Sequence, residues 1–178
     1  MTTVLVAVTG TGAASAAVDD RAAFVAESRA AGLSAAQAAG LQDKVDAYLI
    51  KLSGKGTQVS PNQIDLGGAA LNVTVPGEKR PRPLGDVTTN VIQCDVYADY
   101  KWFCAYQYEF MEGDNIGMYR CDVYRIPWAT WGSWINNQTE GTSPTAYFTD
   151  GSSWRMPPAY DRQDTGVHWQ PVRSIRNC

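Results

Sequence analysis

Every cysteine and every tryptophan of this chain, and eight of its nine tyrosines, lie beyond Asn90. Aromatic residues and crosslinkable thiols suit a small β domain, whereas the stretch before Asn90 is rich in alanine, so the chain reads as two unlike modules. Between them PGEKRPRPLG, Pro76 to Gly85, holds too little apolar surface to offset the entropy of ordering it. This predicts an N-terminal module over 18–75, an exposed linker over 76–90 and a second domain over 91–178.

The four cysteines, Cys94, Cys104, Cys121 and Cys178, form no CxxC pair, and the chain has a single histidine, so a zinc ligand set is missing. Two disulfides in an oxidising compartment are the expectation. Three pairings are open. We choose Cys94 with Cys104, closing a short local loop, and Cys121 with Cys178, tying the C-terminus into the fold. The opening residues MTTVLVAVTGTGAASAA join an apolar stretch to Ala14, Ser15 and Ala16, which predicts a signal segment over 1–17 and a secreted, extracellular protein, although no Lys or Arg precedes Arg21. No apolar run approaches the ~20 residues of a membrane span. The net charge of -3 provides no overall basic field for phosphates. Neither a membrane span nor a nucleic-acid partner is expected.

In the first module Leu41, Val45, Tyr48, Leu49 and Leu52 recur at helical spacing, with Ser34 and Gln37 placed as a capping box, predicting a helix that ends at Gly54. A weaker helix is expected over Asp20 to Ala31. The run TQVSPNQIDLGGAALNVTV reads as a hairpin turning at Gly67 and Gly68. One helix over two strands buries little, so this unit is expected to lean on the second module or on a partner. A permanent subdomain is preferred to a propeptide cleaved near Lys79.

Beyond Val91, short runs of Tyr, Trp, Phe, Val and Ile broken by Gly, Asp, Asn and Pro describe a β sandwich or barrel. The expected strands are Val91 to Tyr97, Trp102 to Tyr108, Ile116 to Val123, Ser133 to Asn136, Ala146 to Thr149 and His168 to Ile175. Catalysis is not expected. His168 has no identified nucleophile beside it, there is no GxSxG elbow, and the carboxylates Glu109, Glu112 and Asp114 cluster in a turn, where acidic residues are ordinarily solvated. Trp128, Trp131 and Trp134 fall within seven positions, too many indoles for one small core, so some are expected on the surface as platforms for a protein or for sugar rings.

The segments KWFCAYQYEFMEGDNIGMYRC, GSWINNQT, TAYFTDG and WQPVRSIRNC together resemble the secreted, crystallin-like peptidase inhibitors of the Streptomyces metalloproteinase inhibitor type. The resemblance runs from Cys94 to Cys178. It implies a Greek-key βγ-crystallin-like sandwich, with an aromatic ring folded over Gly113, supplied by Tyr106 or Phe110, and with Ser133 and Asn136 on a returning strand. The paired Asn136-Asn137 is followed by Gln138, Thr139 and Glu140 rather than the calcium-binding pattern of such domains, and Ile175 follows Ser174, so no metal or other cofactor is expected. The N-terminal part resembles segments that precede small disulfide-bonded domains in secreted actinobacterial proteins.

The resulting expectation is a mainly β, non-catalytic binding protein: a C-terminal crystallin-like sandwich preceded by a small helix plus β-hairpin unit. Its partner is an extracellular peptidase, blocked sterically by a preorganised loop, or else a cell-wall glycan, and the remaining alternative is a structural protein of the cell surface. The candidate binding residues are Tyr97, Tyr100 and Trp102 between the first two cysteines, and Trp128, Trp131 and Trp134 after the third.

Overall fold

The computed structural model describes residues 12–84 and 92–178, with side chains from residue 20 onward. The expected capping box starts the second helix: the Ser34 hydroxyl accepts from the Gln37 amide at 3.2 Å, and the Gln37 side chain accepts from the Ser34 amide at 3.1 Å. Helix α2 then runs Ala35–Lys51 and buries Leu41, Val45 and Tyr48 on one stripe. Helix α1, Gly12–Ala30, lies against it, and the Arg21 guanidinium bridges Asp43 and Asp46, each at 2.8 Å. The segment assigned to a signal falls partly outside the described residues and partly in α1.

Three short strands follow, β1 Thr57–Ser60, β2 Gln63–Asp65 and β3 Ala69–Asn72. The expected hairpin at Gly67-Gly68 is β2 and β3; both glycines have positive φ, 75° and 133°, which the turn requires. The remaining strands are β4 Trp102–Tyr106, β5 Asn115–Met118, β6 Val123–Arg125, β7 Trp131–Asn137, β8 Thr145–Phe148, β9 Ser153–Arg155, β10 Asp161–His168 and β11 Val172–Arg176. The fold is mainly β. Its antiparallel strands form a seven-stranded sheet, β1-β2-β3-β5-β4-β7-β10, and a four-stranded sheet, β6-β11-β8-β9.

The order has an internal repeat. Strands β4 and β5 form a hairpin, β6 leaves for the smaller sheet, and β7 returns beside β4; β8 to β11 do the same with the two sheets exchanged, so β10 joins the larger one. Each unit thus lends its third strand to the other's sheet. The disulfides are Cys94–Cys104 and Cys121–Cys178, the pairing chosen above.

Strand β3 changes the reading of the chain as two modules. It pairs with β5 along its whole length, Ala69 with Met118 through Asn72 with Asn115, so residues before and after the supposed linker share one sheet. Alternation places Ile64, Leu71, Ile116, Ala105 and Trp134 in one cross-strand row on the inner face. They belong to a single buried cluster with Leu41 and Val45 of α2 and with Tyr124, Ala146 and Ile175 of the smaller sheet. On the outer face a buried amide ladder crosses the same junction: Gln63 donates to Asn72 at 2.8 Å, Asn72 to Asn115 at 2.8 Å, and Asn115 to the Cys94 carbonyl at 2.9 Å. The first part of the chain is therefore not an appendage to a separate domain.

The expected exposed linker is also corrected over its described part, residues 76–84. Leu84 is buried in the core, the Lys79 carbonyl accepts from the Gly113 amide at 2.7 Å, and the Arg80 guanidinium donates to the Phe110 and Met111 carbonyls at 3.0 Å. These backbone partners, invisible in composition, hold a polar segment in place. Residues 85–90 of that linker lie outside the described residues. The described part of the expected strand Val91 to Tyr97, residues 92–97, is instead a loop with one bridge, between Cys94 and Ala98, and the disulfide to Cys104 ties it to β4. The long strand expected over Ile116 to Val123 divides at Tyr119 and Arg120, whose amides both donate to the Gly68 carbonyl, and Val123 resumes in the other sheet. Strand β9 and most of β10 escape sequence reading because their residues are largely exposed and show no apolar alternation.

Candidate functional site

The loop between Cys94 and Cys104 is held from several directions. Besides the disulfide, Asn115 bonds the Cys94 carbonyl, the Asn137 amide side chain donates to the Ala98 carbonyl at 2.8 Å, the Lys101 amide donates to Asn137 at 2.8 Å, and the Asp99 amide to Gln93 at 2.9 Å. Below it Cys94, Ala98, Cys104, Tyr106, Met111 and Ile135 form a small apolar cluster on the outer face of the larger sheet. Burial raises the Tyr106 phenol above its ordinary range, with the negative charge of Asp95 acting in the same direction. Tethered on both flanks and packed underneath, the loop has lost its freedom before any partner arrives.

Its exposed crest is aromatic. Tyr97 is 75% exposed and Tyr100 56% exposed, and Tyr160, 60% exposed, stands opposite on the segment that enters β10. Tyr97 and Tyr160 line an open groove of about 350 Å³ together with the buried Ala98 and Ile135 and with Asp161 and Arg162. The Tyr160 phenol is raised, first by the water it loses and then by Tyr100 and Glu140. Arg162 is held at 2.6 Å by Asp164, which raises its own proton affinity. The groove thus presents phenols, the charged Asp161 and Arg162, and the apolar Ala98 and Ile135.

The predicted site residues separate into two groups. Tyr97 and Tyr100 are brought together on the crest. Trp102 is half-buried beside the loop, its ring 5.3 Å from that of Tyr119. The platform of three indoles does not form: Trp128 is 6% exposed, Trp134 is 1% exposed and stacks on Phe103 at 6.0 Å, and only Trp131, at 57%, reaches solvent, where it stacks on His168 at 4.4 Å. The reason is the strand period. Trp134 falls in the inner row with Ala105, and Trp128 precedes β7 in the segment that passes over the core. Tyr160 was missed by sequence reading; an isolated aromatic in PPAYDR carries no periodic signal.

The corner at residues 108–113 also differs in one ring. Phe110 and Met111 take positive φ, 58° and 59°, and the ring over Gly113 belongs to Tyr108 rather than to Tyr106 or Phe110; a methyl at Gly113 would overlap it. Ser133 does close the corner, donating to the Tyr108 carbonyl at 2.8 Å and accepting from the Met111 amide at 3.0 Å. Asn136 on the same strand donates to the Thr142 and Pro157 carbonyls at 3.0 and 3.2 Å.

A second cleft, of about 400 Å³, lies between α2 and this corner, with Asp114 in its wall. The three carboxylates of the turn are all engaged: Glu109 accepts from the Gly166 amide at 2.8 Å, Glu112 pairs with Lys79 at 3.0 Å, and Asp114, wholly buried, accepts from Lys44 at 2.9 Å, from the Thr74 amide at 2.7 Å and from the Tyr48 hydroxyl. Burial and then the Asp114 charge push the Tyr48 phenol far up, so it stays a donor. Asp114 fastens helix to sheet. Asp114→Ala is expected to cost about 3 kcal/mol, because Lys44 relaxes into water while the Tyr48 hydroxyl and Thr74 amide are left buried and unpaired. A thermal melt should fall by about 8 °C, and Asp114→Asn by less. An unchanged melt for the alanine variant would show that the network carries no stability.

Among the described residues no group of three or more His, Cys, Asp or Glu side chains is placed to hold a metal ion, and no helix is long and apolar enough to cross a membrane. Comparison with protein-family models, with curated proteins and with solved structures finds no match.

Proposed function

We propose that this is a secreted, non-catalytic binding protein that inhibits an extracellular peptidase, using the tyrosine crest and groove beside the Cys94–Cys104 loop. The observation carrying this reading is a loop fixed by a disulfide and by side-chain and backbone hydrogen bonds, with Tyr97 and Tyr100 exposed on top. Tyrosines supply large amphipathic contact area with few rotatable bonds, and a loop already ordered loses little entropy on association. The two disulfides favour an oxidising, extracellular setting. A crystallin-like Greek-key identity is supported by the paired four-strand units that exchange third strands, and by Tyr108 over Gly113 with Ser133 closing the corner.

The test is inhibition of a panel of metallo-, serine and cysteine peptidases by the purified chain. At least one should be slowed at micromolar protein. Tyr97→Ala combined with Tyr100→Ala should raise the inhibition constant about 30-fold, the loss of two interface anchors, without moving the melt. If no peptidase is slowed, the reading fails. Retention on cell-wall glycan that disappears with Trp131→Ala would replace it, since Trp131 is the one of the three neighbouring indoles with an exposed ring.

A further inference from the structure

We infer that the chain carries a second binding site, between the C-terminal end of α2 and strands β6 and β11, for an acidic peptide segment with apolar side chains. Two cavities of about 600 and 420 Å³ adjoin there and share Arg125 and Arg173; Lys55 lines the first and Lys51 the second. All four cations are exposed. The only carboxylate in either lining is Asp122, which accepts from the Val123 amide at 2.7 Å.

None of these four cations has an ion-pair partner among the described residues, where the ion pairs engage Arg21, Lys44, Lys79, Arg80, Arg82 and Arg162. Lys51 only approaches the Tyr48 ring, at 5.5 Å, which leaves its charge uncompensated. On a chain of net charge -3 this groove is a local reversal of sign. The negative end of the α2 dipole accounts for lysines at its terminus. It does not account for Arg125 and Arg173, which arrive from β6 and from the neighbouring β11.

The walls select among anions. Val123, half exposed, and the partly buried Leu66 line the first cavity beside Lys55 and Arg125. A bare phosphate chain would meet the cations and leave these apolar walls uncovered, whereas an acidic peptide offers planar carboxylates to the guanidinium forks and side chains to the walls. The site shares no lining residue with the tyrosine groove and stands whether or not the peptidase reading survives.

The test uses the full chain and a fluorescein-labelled peptide repeating Glu-Glu-Leu, followed by anisotropy at low salt. Binding should be detectable at micromolar protein, weaken as salt rises, and fall at least about tenfold when Gln replaces Glu in the peptide. Arg125→Gln combined with Arg173→Gln should weaken it by at least about tenfold, with Arg155→Gln, exposed on β9 and outside both linings, as an unaffected control. Should the arginine variant fold poorly, Lys51→Gln with Lys55→Gln tests the same groove from the helix side. Equal binding by either pair of variants overturns the site. Tripolyphosphate competing as strongly as the unlabelled peptide would overturn the peptide assignment in favour of a simple anion site.

Discussion

A fragment comprising residues 91–178 is expected to show no cooperative unfolding transition, although it retains both disulfides. Without β3, strand β5 loses one of its two partners from Asn115 to Met118, and the buried Asn115 loses Asn72. Asp114 loses Lys44, Thr74 and Tyr48 together, and Gly113 loses the Lys79 carbonyl. Leu41, Val45, Ile64, Leu71 and Val73 leave the same cluster that contains Ile116, Met118 and Tyr124. Each such side chain contributes about 1.5 to 3 kcal/mol by burial, and a domain's net stability is only about 5 to 15 kcal/mol, so the sum exceeds what remains. The disulfides restrict the unfolded chain but supply no partner for β5. Circular dichroism melts of the fragment, alone and mixed with residues 12–84, measure this. Expected are a featureless melt alone and a cooperative one on mixing. A cooperative melt of the fragment alone, near that of the full chain, would restore the picture of an autonomous second domain.

Gly132→Ala in β7 is expected to be strongly destabilising although it adds a single methyl. A Cβ there would overlap both Trp169 Nε1 and the Tyr106 carbonyl oxygen, the donor and acceptor of a 2.7 Å buried hydrogen bond. Either the indole moves, leaving its N–H unpaired in the core, or β7 shifts against β4. Overpacking and a lost buried hydrogen bond together cost about 3 to 5 kcal/mol. A melting temperature lower by about 10 °C follows. Gly141→Ala is the comparison, since nothing lies within 4 Å of a Cβ there, though its φ of 80° brings some local strain. A Gly132→Ala variant that melts with the parent would show that Trp169 has room to yield.

What the residues determined on their own was local. Ser34 and Gln37 with the stripe from Leu41 to Tyr48 encode α2, because cap and period act within a few residues. The paired glycines at 67 and 68 encode a turn, and the aromatic runs at Trp102 and Ser133 encode strands. Of three open pairings, Cys94 with Cys104 is chosen for its short local loop, which leaves Cys121 with Cys178, and that loop marks Tyr97 and Tyr100 as candidate binding residues.

Tertiary structure decided the rest, and in each case the deciding contact spans a distance along the chain that no local pattern records. Nothing in ALN or NIG announces that β3 pairs with β5, 43 residues apart at Asn72 and Asn115, and that pairing makes one sheet of two apparent modules. Trp128, Trp131 and Trp134 look alike in the sequence; only the smaller sheet, packed over the inner face, buries the first and third and leaves Trp131 against His168. Tyr160 becomes part of a groove because β10 returns beside β7, and Arg125 meets Arg173 because β6 crosses to β11. Spacing fixes which side chains share a face, but which face is covered depends on the partner that closes over it, and that partner is chosen by the free energy of the whole core.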